Sequence, residues 1–140
     1  RKRYFMSFSN STEEDVLQQV FIGTALPWNA NTDLWIALYT ATPNEAGSAV
    51  TNEATYGNYS RAVLTRASDF TVSGNTVSNT NLEQFDACTS GSNTITHAAI
   101  VDTASGAGNV IVYAALSSSI GVSTGVQPQF AANALSFTLD

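Results

Sequence analysis

Phe70-Thr71-Val72-Ser73-Gly74-Asn75-Thr76-Val77-Ser78-Asn79 decides how the rest of the chain is read. Alternating residues run into Gly74-Asn75 and out of it again. That dipeptide is favoured at the tip of a two-residue β-hairpin, where a positive φ is needed and glycine accepts it without strain. Toward the N-terminus, Tyr59 to Thr65 alternates as well. So does Leu34-Trp35-Ile36-Ala37-Leu38-Tyr39, with Leu34, Ile36 and Leu38 on one side of the pleat. Thr42-Pro43-Asn44-Glu45-Ala46-Gly47 then interrupts the pattern with turn-forming residues. Toward the C-terminus, Leu82 to Phe85 predicts a short strand. Ile95 to Val101 and Val110 to Leu116 are rich in β-branched residues, joined by a flexible Ala104-Ser105-Gly106-Ala107-Gly108. Two last segments surround Val126-Gln127-Pro128 and Leu135-Ser136-Phe137-Thr138-Leu139. Turn signals about every ten residues predict about eight strands in two sheets. The expected fold is all-β, a jelly-roll-like β-sandwich with one short N-terminal helix. No short internal repeat is present, which argues against a solenoid.

The helix is predicted from Ser11-Thr12-Glu13-Glu14, a capping box with Ser11 as N-cap and Glu14 reaching back. Glu13, Glu14 and Asp15 put negative charge at the positive end of its dipole. Val16, Leu17, Val20 and Phe21 then share a face, and Gly23 follows as a C′ glycine. A helix of about three turns is marginal alone, so this face is expected to dock on the body.

The chain has 140 residues, which suits a single domain. Residues 1–10 read as an N-terminal arm and 11–140 as one sandwich domain. Charged residues make up 11% of the chain, less than half the usual share of about 25%. Ser, Thr and Asn fill about a third of it instead, well above average usage. Net charge is −6, and three of the five basic residues are Arg1, Lys2 and Arg3. The body is therefore acidic and poorly suited to nucleic acid, whose phosphates call for clustered Lys and Arg. The basic stretch reads either as a partner-binding arm or as a solvated tail before an initiator-like Met6. No apolar run approaches the ~20 residues of a membrane span, so no membrane contact is expected. A lone Cys88 excludes an internal disulfide framework and a multi-thiolate metal site.

Residues that could carry chemistry are few. His97 is the single histidine, and Ile95, His97, Ala99 and Val101 alternate onto one apolar face. A general base needs an orienting acid and a nucleophile, and no spacing in the sequence supplies them. Cys88 lies near Asp86, which opposes thiolate formation. The carboxylates are scattered, without the pairing a glycosidase needs. No enzyme activity, cofactor or metal is expected. Binding is better served: Trp28, Trp35, Tyr39, Tyr56 and Tyr59 surround a Pro-, Gly- and Asn-rich region, where aromatics hold sugars or proteins. Trp35 and Tyr39 read as cover for the sandwich, whereas Tyr56 and Tyr59 flank Gly57 in a loop. Arg61 is the lone cation of its strand and is expected to pair with Glu53 and pin that loop. The partner-binding candidates are Arg1, Lys2, Arg3, Tyr4, Phe5, Tyr56, Tyr59 and Arg61.

Several segments, in order, resemble a family of small tailed-phage virion proteins described as tail-fibre-like or decoration proteins. They are Leu34 to Pro43; Thr51-Asn52-Glu53 with Tyr56, Tyr59 and Arg61; Thr71 to Asn75; Thr96-His97 leading to Asp102-Thr103-Ala104-Ser105-Gly106; and Gln127 to Leu135. The likeness runs from Phe8 to Asp140. It departs at Tyr39, where the family usually has His, and residues 1–5 have no counterpart. The resemblance implies a virion structural protein. The first expectation is a capsid decoration, or cement, protein on the capsid exterior, contacting the major capsid protein and copies of itself. The alternative is a tail or tail-fibre component touching host glycans through exposed aromatics. A glycan-active enzyme is the third reading, opposed by the missing acid–base pair.

Overall fold

The computed structural model describes residues 4–5, 7–45 and 48–139. Among the described residues eleven strands and one α-helix follow in order: β1 Tyr4–Phe5, β2 Ser7–Phe8, α1 Asn10–Leu17, β3 Asp33–Tyr39, β4 Ala62–Thr65, β5 Phe70–Ser73, β6 Thr76–Asn79, β7 Glu83–Gln84, β8 Asn93–Val101, β9 Val110–Val122, β10 Gln129–Phe130 and β11 Leu135–Thr138. They form a four-stranded sheet β1-β11-β6-β5, a five-stranded sheet β2-β9-β8-β3-β4 and a two-stranded ribbon β10-β7. The fold is all-β with one short helix, as the period-two pattern implies. Consecutive strands pair as hairpins inside a sheet at β3–β4, β5–β6 and β8–β9. The β5–β6 hairpin has the expected register, Phe70 opposite Asn79 and Ser73 opposite Thr76, with Gly74 at φ 62° in its tip.

The two larger sheets share a core. Ile36, Leu38, Leu64, Ile100 and Val112 of one meet Leu135, Phe137 and Phe70 of the other. The five-stranded sheet is also covered on its far face. There Ala37, Tyr39, Ala99, Val101 and Val110 pack with Ala49, flanked by Trp35 and Tyr113. Burial on both faces explains why β3 reads as a nearly continuous apolar run. The alanines at 37, 49 and 99 let the covering segment come close.

A bulge corrects the alternation expected around His97. Ile95 pairs with Ile120, yet His97 pairs with Ala115, so four β9 residues stand opposite Thr96. Such an insertion changes which side later residues face. Ile95 points into the main core, while Ala99 and Val101 lie on the far face with Tyr39, the partner of His97.

The N-terminus is built into both sheets. Tyr4–Phe5 pair in parallel with Leu135–Ser136, and Ser7–Phe8 pair with Val112–Tyr113. Residues expected to form an arm thus supply strands. The helix begins earlier than the capping box suggested. Its N-cap is Ser9, whose hydroxyl accepts from the Thr12 backbone N–H at 3.2 Å and donates to the Val110 carbonyl. Ser9 takes the cap because it is fully buried beside β9, where its hydroxyl satisfies the sheet and the helix together.

Candidate functional site

Arg61 forms the pair the sequence predicts, and does more. Its Nε and Nη2 donate to Glu53 Oε1 and Oε2 at 2.7 and 2.8 Å, a bidentate fork. Nη1 donates to the carbonyl and hydroxyl of Thr103, both at 2.9 Å, and Nη2 also to the Gly106 carbonyl at 2.8 Å. All five N–H donors of the guanidinium are therefore engaged. The residue is 8% exposed. The glycine-rich connection after β8 is consequently held rather than free. Asp102 closes it from the other side, accepting from the backbone N–H and the amide of Asn109, both at 2.7 Å.

Tyr56 and Tyr59 are tied into the same arrangement. Tyr56 is 3% exposed and belongs to the main core. Tyr59 packs against that core, and its hydroxyl fills a gap in the sheet. Beyond Ile36, β4 no longer flanks β3, so the buried Leu38 N–H lacks a strand partner and donates to Tyr59 Oη at 3.0 Å. Tyr59 donates onward to Glu53 Oε1 at 2.8 Å. Burial, then the Glu53 charge, holds its phenol far above the ordinary tyrosine value. Burial likewise pushes Tyr56 up to about 12. The rings continue as a row: Tyr56 to Tyr59 at 5.3 Å, Tyr59 to Phe85 at 6.3 Å and Phe85 to Phe130 at 6.2 Å. These aromatics pack in or against the main core. Arg1, Lys2 and Arg3 lie outside the described residues, as do the side chains of Tyr4 and Phe5.

His97 is partly buried. Its Nδ1 lies 2.8 Å from Thr96 Oγ1 and its Nε2 3.5 Å from Thr42 Oγ1. Cys88 is buried and faces the Ser90 and Gly91 carbonyls. Among the described residues no three His, Cys, Asp or Glu side chains converge in a metal-holding group.

Two features the sequence reading missed stand out. The first is the end of the helix. After Leu17 the chain widens into a five-residue π-helical turn, Gln18–Ile22, closed by Gly23 at φ 83°. The Gly23 and Thr24 N–H groups both point to the Gln18 carbonyl. The apolar face expected to dock does not. Every residue from Leu17 to Ala25 is exposed, with Phe21 at 75% and Ile22 at 73%. The preceding helix α1 rests on β2 and β9, and its Ser11 N–H donates to the Glu45 carbonyl. The signal was present: Val20-Phe21-Ile22 is a contiguous apolar run rather than a stripe, so one helix face could not cover it.

The second feature is an apolar cavity of about 480 Å³ between the two large sheets. Phe8, Leu64, Phe70, Ile100, Val112 and Phe137 are among its walls. Val72 and Leu139, both exposed, stand at its mouth. Arg66 borders it while donating Nη1 to the Trp28, Asn29 and Asn31 carbonyls.

Set against known proteins, residues 7–138 match a family model described as Podophage GP4 fiber I protein gp80. No curated protein matches the chain.

Proposed function

This chain belongs to the family Podophage GP4 fiber I protein gp80, a family of tailed-phage virion structural proteins, and on that premise we propose that it is a fibre building block acting through protein contacts. The observation that carries the reading is the exposed apolar projection at Leu17 to Ile22. Large apolar clusters left in water mark interaction surfaces. The reading is also supported by where the polar groups go. The Arg61–Glu53 pair and the Tyr59 hydroxyl are engaged in holding loops and strands together. Tyr56, a partner-binding candidate in the sequence, is buried in the core, and Tyr59 spends its hydroxyl on Leu38 and Glu53.

Immunogold labelling of intact particles with an antibody to this chain tests the assignment. Label confined to the tail region, at a few copies per particle, is the expected result. Dense label over the whole head would overturn it in favour of capsid decoration on the major capsid protein. Hydrolysis of host polysaccharide by the purified chain would overturn the contact-only reading.

A further inference from the structure

The helical projection and the inter-sheet cavity are each incomplete within one chain. The projection holds Leu17, Val20, Phe21 and Ile22 in water. The cavity offers an apolar hole, and its volume of about 480 Å³ falls in the range that accommodates a bulky apolar group. One chain cannot use its own projection to fill its own hole. Phe8 lines the cavity and the helix starts two residues later. At ~1.5 Å per residue, Asn10 to Ile22 is a rod of about 20 Å that carries the apolar tip away from its root. We propose that the projection of one copy seats in the inter-sheet cavity of the next, so that chains associate head to tail.

Charge favours this pairing over its competitor. Arg66 is the one charged side chain among the described residues around the cavity. The projection approaches on a helix bearing Glu13, Glu14 and Asp15, and residues 18–23 carry no charge. Tip-to-tip pairing would instead bring two such acidic helices together. Because the two surfaces differ, each pairing leaves one free tip and one free cavity. Contacts of that kind run on into rings or filaments rather than stopping at a dimer. The inference rests on the geometry of the single chain and stands whether the protein belongs to a fibre or to the head.

Sedimentation velocity with two complementary variants tests it. Phe21→Asp with Ile22→Asp disables the tip, at positions whose exposure spares the fold. Val72→Asp places a carboxylate at the cavity mouth, on the exposed edge strand β5. Leu139→Asp serves the same purpose should Val72→Asp alter the circular dichroism spectrum. The wild-type chain should grow with concentration past the dimer. Each variant alone should remain monomeric. Their mixture should form a one-to-one species of twice the chain mass and stop, because one sound tip meets one sound cavity. A wild type that is monomeric at its highest soluble concentration overturns the proposal. So does a mixture that stays monomeric. Self-association of the cavity-mouth variant alone overturns it too and indicates tip-to-tip pairing.

Discussion

Arg61 shows how one side chain joins distant parts of the chain. Its five donors tie Glu53 before the strand to Thr103 and Gly106 after β8. Removing it leaves the Glu53 carboxylate, itself largely buried, with Tyr59 as its remaining described partner. Stranding one member of a buried pair costs about 3–5 kcal/mol. Arg61→Ala should therefore shift a urea unfolding curve by about that amount, a larger effect than loosening of the Tyr56 loop alone. Hydrogen exchange should quicken in both the 53–61 and the 102–108 segments. A variant within ~1 kcal/mol of wild type would contradict this. His97 gives a pH-dependent expectation. Burial lowers its pKa below 6.5, so the folded protein binds this proton less readily than the unfolded chain. The stability linked to neutral His97 is present above about pH 6.5 and is lost as pH falls through the lowered value. Asp15 and Glu83, raised mainly by burial, act in the opposite sense. The readout is therefore a difference: the melting temperature of His97→Gln should fall less than that of wild type between about pH 7 and pH 5. Parallel curves would refute it.

Strands at the sheet edges depend on very short partners. β1 offers only two paired residues to β11, and its removal opens the β11 backbone to solvent. Deleting residues 1–5 should destabilise the isolated domain by about 2 kcal/mol, on the order of two backbone hydrogen bonds. Thermal melts of the truncated chain measure this, and an unchanged midpoint would return those residues to the solvated-tail reading. The new edge also carries an association hazard, because unpaired strand groups attract other strands. The helix is the opposite case. Its sequence predicts a docked face, yet its distal half is exposed and closes on a left-handed glycine cap.

At the scale of the molecule, assembly should feed back on stability. Anything that binds the native state alone stabilises it by mass action. If projections fill cavities between copies, the wild-type melting temperature should rise with protein concentration. That of the Phe21→Asp, Ile22→Asp chain should not. Differential scanning calorimetry over a concentration series distinguishes the two, and equal concentration dependence would remove the link between tip and stability.

The sequence by itself determined the β-hairpin at Gly74-Asn75, the all-β class, the short helix and the Arg61–Glu53 pair. Each rests on local information: alternation, turn chemistry, capping residues, or one cation near one carboxylate in sequence. Only the tertiary structure decided which surfaces those elements meet. Ser9 displaced Ser11 as the cap because β9 lies beside it. His97 left the face of Ile95 because a bulge intervenes between them. Tyr59 turned inward because β3 outruns β4 and leaves the Leu38 N–H in need of an acceptor. The face through Leu17 and Phe21 stayed in water because the helix departs from the sheets, and periodicity carries no information about where a helix axis points.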